Sequence, residues 1–137
     1  MNDMIQKLID KRAGEPINIL IVDDEKSVRD VFVDFCNSSP LFNVDSASGG
    51  LEAIEKVKNT NYDIVTLDLV MPEVSGLDAM ESIKKTRPHL PVVIITGNAT
   101  EELIRQAGTM GGCRVIRKPV RLDYFISELA DLASEKC

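Results

Sequence analysis

The chain has 137 residues, 44% of them hydrophobic and 28% charged, and a formal charge of −6 at neutral pH. That length and apolar fraction suffice for one domain with a full core, without metal or disulfide staples. The acidic balance, with no basic run longer than two residues, lacks the electrostatic footprint of a nucleic-acid binder and argues against direct contact with DNA or RNA. Cys36, Cys113 and Cys137 are widely spaced and form no CxxC pair, so they read as incidental thiols of a reducing compartment, with neither a disulfide framework nor a zinc site. No apolar stretch approaches the length of a membrane span, and Met1-Asn2-Asp3-Met4 lacks the basic-then-apolar order of a signal peptide. A cytoplasmic protein with no membrane partner is the expectation.

Residues 1–16 read as an N-terminal extension ahead of a domain spanning 17–137. Met4, Ile5, Leu8 and Ile9 would share one face of a short helix ending at Gly14, marginal by itself and either a frayed tail or a docking or dimer contact. Asn18 to Val22 is the first strand. Val28, Val31, Phe32 and Phe35 then recur at i, i+3, i+4 and i+7, which predicts an inward helix face between about Lys26 and Cys36, stopped by Asn37-Ser38-Ser39-Pro40. Phe42 to Ala47 alternates apolar and polar residues, as a half-covered edge strand does. A helix opening near Gly50 follows, with Ala53, Ile54 and Val57 inward.

Asp63 to Asp68 reads as the third strand, and Ser75 or Gly76 begins a helix carrying Leu77, Met80 and Ile83. Val92 to Thr96 is continuously apolar, which suits a strand buried on both faces. Thr100, before Glu101 and Glu102, predicts the cap of a helix running to about Thr109, and Gly111-Gly112 separates it from a fifth strand at Val115 to Lys118. Leu122, Phe125, Ile126, Leu129 and Leu132 mark the last helix. Five β/α units with right-handed crossovers predict an α/β fold: a doubly wound, five-stranded parallel sheet of flavodoxin type, order 2-1-3-4-5, with helices on both faces.

In that order the first and third strands are neighbours at the switch point, so Asp23, Asp24 and Asp68 would converge there, with Thr96 and Lys118 arriving from the fourth and fifth strands. Clustered carboxylates repel unless a cation sits among them, and hard oxygen donors suit Mg2+. A carboxylate attacking phosphorus would form an aspartyl phosphate, whose oxygens need a metal, a lysine and a hydroxyl as partners.

These residues resemble the receiver domain of two-component response regulators over roughly Ile17 to Ser134. The matching segments are Ile-Val-Asp-Asp at 21–24, Leu-Asp-Leu-Val-Met-Pro-Glu-Val-Ser-Gly at 67–76, Ile-Thr-Gly at 95–97 and Arg-Lys-Pro at 117–119. The resemblance implies that Asp68 accepts phosphate from the phosphohistidine of a histidine kinase or phosphotransfer protein. Asp24, Asp68 and the backbone carbonyl of Val70 would then ligate Mg2+, with Asp23 holding metal-bound water, while Lys118 pairs with the phosphoryl group and Thr96 hydrogen-bonds it. It further implies a cis bond before Pro119, a turn permitted by Gly76, and a downstream effector protein or output domain; the chain itself is expected to be a monomer or weak dimer.

One position departs from the family pattern. Three residues before the lysine, many receivers carry a Tyr or Phe that swings inward, and here a small buried Val115 is expected, so the response would pass through Thr96, the following loop and the fourth helix.

Plainer readings exist for each motif taken singly: Asp24 as the cap of the first helix, Asp-x-x-Met-Pro as a loop, Lys-Pro as a surface turn. His89, between two prolines, reads as a solvated loop residue. An aspartyl-phosphate hydrolase would need an Asp-x-Asp spacing after the first strand and a capping insertion, and neither is present. A receiver that only binds a partner is disfavoured by the intact set of Asp23, Asp24, Asp68, Thr96 and Lys118.

Overall fold

A computed structural model describes residues 6, 7, 10, 12 and 14–135. Met4, Ile5, Leu8 and Ile9, the proposed face of an N-terminal helix, lie outside them, as does Cys137. The ordered elements are β1 (Ile17–Val22), α1 (Lys26–Asn37), β2 (Phe42–Ala47), α2 (Gly50–Asn59), β3 (Ile64–Leu67), α3 (Gly76–Thr86), β4 (Val92–Thr96), α4 (Glu101–Thr109), β5 (Gly112–Arg117) and α5 (Leu122–Glu135). All strand pairs are parallel, in the order β2-β1-β3-β4-β5.

Every residue of β3 and β4 is buried, because these central strands are covered on both faces. The edge strands differ. β2 alternates in burial, and β5 exposes Val115 and Arg117 on either side of buried Ile116. Ile17, Ile19, Ile21, Val93 and Ile95 project to one side, against Phe32 and Cys36 of α1 and Phe125, Ile126 and Leu129 of α5. Leu20, Val22, Val65, Leu67 and Ile94 project to the other, against α2, α3 and α4 through Ala53, Val57, Met80, Ile83 and Ala107. The period of two along each strand thus divides its apolar residues between two cores. Phe32 stacks on Phe125 with ring centroids 5.0 Å apart.

Three readings need correction. Val31 is 46% exposed; it lies about 100° around α1 from Phe32, outside the arc that packs on the sheet. Val115 is 38% exposed rather than buried, because it points outward from an edge strand that begins three residues earlier than the apolar run suggested. Cys113 is disulfide-bonded, while Cys36 is free and buried, its thiol pushed up to about 12 by desolvation. Distance along the chain did not reveal that bond.

Thr100 caps α4 as expected, its hydroxyl accepting the Leu103 N–H at 3.2 Å, and Ser75 caps α3 in the same way through Asp78. Asp24 does not cap α1: Glu25 occupies the N-cap position and makes no side-chain cap bond.

Candidate functional site

The strand order sets β1, β3, β4 and β5 side by side, so residues just past their C-terminal ends meet in one crevice. Asp23 and Asp24 follow β1, Asp68 follows β3, Thr96 ends β4 and Lys118 follows β5. Asp23, Asp68 and Thr96 are buried, at 2%, 5% and 1% exposure. Each of the three acids offers an oxygen, and those atoms lie within 4.8 Å of one another. The surrounding pocket is about 390 Å3 and is lined by Asp24, Asp68, Val70, Met71, Asn98 and Lys118 among others. A larger hollow of about 590 Å3 lies beside Arg117, Val120 and Tyr124, without convergent carboxylates.

Lys118 joins the acids. Its Nζ donates to Asp23 Oδ2 at 2.8 Å and to Asp68 Oδ2 at 3.0 Å, while its backbone N–H donates to the Thr96 carbonyl at 3.0 Å. Burial alone would lower the ammonium pKa, but its hydrogen bonds to Asp23 and Asp68 and their negative charge outweigh it, and the net shift is upward. The other oxygens are tied to backbone: Asp68 Oδ1 accepts the Val70 N–H and Asp23 Oδ1 the Glu25 N–H, each at 3.0 Å. Thr96 Oγ1 is the exception, buried with no hydrogen-bond partner among the described residues. An unpaired buried hydroxyl costs about 1–3 kcal/mol.

Gly76 has no room for a side chain. A Cβ there would fall on Leu69 Cα and 2.5 Å from the Asp68 carbonyl oxygen, and the Gly76 N–H donates to Leu69 O at 3.1 Å. Its role is therefore close approach: the start of α3 packs against the peptide carrying Asp68. The Lys118–Pro119 bond is cis, as the resemblance implied.

All five side chains singled out from sequence occupy this one crevice, together with Val70 at its wall. Sequence reasoning did not anticipate that Asp23 pairs directly with Lys118, nor that Arg29 of α1 donates to the Asp23 carbonyl at 2.8 Å. Asn98, after β4, also lines the pocket without having been singled out, beside Gly97 of the Ile-Thr-Gly segment. His89 is exposed in the turn before β4 and takes no part.

The three carboxylates and their buried, oxygen-rich surroundings form a donor set that could hold a hard divalent cation. Among the described residues, no helix is long and apolar enough to cross a membrane.

Residues 19–130 match the family model described as the response regulator receiver domain. The chain is 40% identical over 110 residues to a protein-glutamate methylesterase/protein-glutamine glutaminase of Pyrococcus abyssi, covering 78% of this chain but 30% of that protein. It is 33% identical over 111 residues to the chemotaxis protein CheY of Thermotoga maritima, covering 81% and 92% of the two chains. Among solved structures, it is similar to the CheX-CheY-BeF3-Mg+2 complex from Borrelia burgdorferi, with a TM-score of 0.82, 30% identity and coverage of 89% and 92%. It thus spans less than a third of the first relative and nearly all of the second. On the strength of this match and of the fold that carries it, the chain belongs to the response regulator receiver domain family of two-component systems.

Proposed function

We propose that this chain is a phosphorylation-dependent receiver that takes a phosphoryl group onto Asp68 from the phosphohistidine of a partner histidine kinase or phosphotransfer protein. The observation that carries the reading is the pairing of a buried carboxylate, held at 3.0 Å by Lys118, with the partnerless Thr96 hydroxyl at the end of the neighbouring strand. A static core has no use for that combination. A phosphoryl group on Asp68 would bring oxygens that accept from both.

In the step itself, an Asp68 carboxylate oxygen attacks phosphorus. The new O–P bond forms as the P–N bond to the donor imidazole breaks, and its electron pair returns to the ring nitrogen, which then binds a proton. The Val70 N–H keeps the other Asp68 oxygen oriented, and Lys118 balances charge as its contact to Asp68 passes to the phosphoryl oxygens. Asp24, Asp68 and the Val70 carbonyl would hold Mg2+, with Asp23 binding its water; when bound, the ion supplies charge neutralisation.

The reading takes residues 17–137 as the receiver and 1–16 as an extension, places the protein in the cytoplasm where ATP-derived phosphohistidine forms, and assigns the changed surface to an effector protein or output domain. CheY of the Borrelia burgdorferi structure was solved with BeF3 and Mg2+, which agrees with the chemistry proposed here.

Incubation with Mg2+ and acetyl phosphate followed by intact-mass measurement tests it. One added phosphoryl group on the wild type and none on Asp68→Asn is the expected result. An adduct that persists in Asp68→Asn overturns the assignment, and no adduct on the wild type favours a receiver that only binds a partner.

A further inference from the structure

We infer that Arg29 is a positioning residue for the acid pair, holding the peptide between Asp23 and Asp24 so that Asp24 faces the pocket; this rests on the receiver reading above. Arg29 lies in the first turn of α1, half-buried, and its Nη1 donates to the Asp23 carbonyl at 2.8 Å. That is the sole partner of its guanidinium among the described residues. A half-buried arginine whose guanidinium bonds the carbonyl of Asp23 is serving the backbone.

The two acids are anchored very differently. Asp23 is fixed at four points: its N–H donates to Ala47 O at 3.2 Å, Oδ1 accepts from Glu25, Oδ2 from Lys118, and its carbonyl from Arg29. Asp24 makes no hydrogen bond of its own among the described residues and does not cap α1. Because a peptide is planar, holding the Asp23 oxygen also holds the nitrogen and Cα of Asp24, the point from which its side chain departs. The Arg29 contact is thus the constraint that reaches the otherwise untethered acid.

The sign of the effect separates positioning from simple charge. Removing a cation beside a cluster of acids strengthens Mg2+ binding if Coulomb attraction is all that matters. Removing an anchor weakens it, by about tenfold if it resembles other residues that orient metal ligands.

Calorimetric titration of the whole chain with Mg2+ tests this with three variants. Arg29→Met should bind about tenfold more weakly, Arg29→Lys, which keeps a charged donor, should recover most of the loss, and Lys26→Met, an exposed cation on the same helix paired with Asp30, should bind at least as tightly as wild type. Arg29→Met binding as tightly as wild type or tighter, or Arg29→Lys as weak as Arg29→Met, overturns the proposal. Amide exchange in the metal-free protein supplies a reading that does not depend on the ion. The Glu25 amide, which donates to Asp23 Oδ1, should exchange faster in Arg29→Met and be unchanged in Lys26→Met, and equal rates in all three proteins would also overturn it. If wild type and Asp24→Asn bind Mg2+ identically, the receiver reading fails, while the exchange result still decides the role of Arg29. Should Arg29→Met not fold, Arg29→Gln carries both measurements.

Discussion

Two clusters in this molecule use nearly the same ingredients. At the C-terminal ends of the strands, two buried acids, a lysine and a hydroxyl surround a pocket. At the β2 edge, Asp45 accepts from Tyr62 Oη at 2.6 Å and from Lys56 Nζ at 3.0 Å, and Lys56 also reaches the Ser46 carbonyl at 2.6 Å and Glu52 at 3.5 Å. Glu52 in turn accepts from the backbone and side chain of Ser48. In the edge cluster each of these polar side chains has a partner and stands in contact with water. In the pocket, Thr96 has none, and two carboxylates are buried around one lysine. Carboxylate, amine and hydroxyl together do not mark a site; burial combined with an unmet hydrogen bond does.

The sharpest way to break that contrast is to change the acids in the pocket. Asp24→Asn should weaken Mg2+ binding by at least about tenfold, comparable to losing an orienting contact, whereas Lys118→Ala should retain metal binding and lose phosphorylation by acetyl phosphate. Calorimetry and intact mass read the two effects separately, and equal loss of metal affinity in both variants would mean their roles have been confused.

A backbone change tests the same pocket from beneath. Gly76→Ala forces a methyl group into the Asp68–Leu69 peptide, and overpacking of this kind costs about 1–3 kcal/mol. Chemical denaturation should show that loss along with reduced phosphorylation. Gly49→Ala, where a Cβ meets nothing within 4 Å, should show neither.

The edge cluster should respond least. Tyr62→Phe removes one partly exposed hydrogen bond and should cost no more than about 1 kcal/mol, with phosphorylation unchanged. Its pH dependence has a defined sign. Burial and then the bond to Asp45 raise the phenol pKa from 10.0 to about 12, so the protonated form is favoured in the fold. The stabilisation is complete below pH 10, is lost as pH rises towards 12, and is absent from Tyr62→Phe at any pH. Ultraviolet titration, with Tyr124→Phe to isolate the signal, checks the value.

Much of this contrast was legible in the sequence, for identifiable reasons. Asp68, the Asp23–Asp24 pair and Lys118 each follow a run of apolar residues, and a parallel sheet delivers such positions to one end. Thr96, within its strand, was placed by the same logic. Side-chain orientation on amphipathic or edge elements was harder to read: Val31 lies at the margin of its helical arc, and Val115 lies on a strand with one open side. Its exposure places Val115 on the outer surface of β5, so a swing of that side chain into the core is not how Thr96 would be coupled to the rest of the molecule. Arg29 was passed over because it is a charged residue on a helix with a solvated face, and only coordinates reveal that it turns back to a carbonyl six residues away. Gly76 was identified as a turn residue, but its actual constraint is the proximity of another segment, which no local pattern encodes.

The central claim is that the strand-end pocket is built to receive a phosphoryl group and the edge cluster is not. Backbone amide spectra recorded with Mg2+, before and after addition of the phosphoryl mimic beryllofluoride, test it most directly. Large shifts at Asp24, Asp68, Thr96 and Lys118, extending through α4 to Gly112 while Asp45, Lys56 and Tyr62 stay in place, are the predicted result. An unmoved Thr96, or shifts of equal size in both clusters, would contradict it.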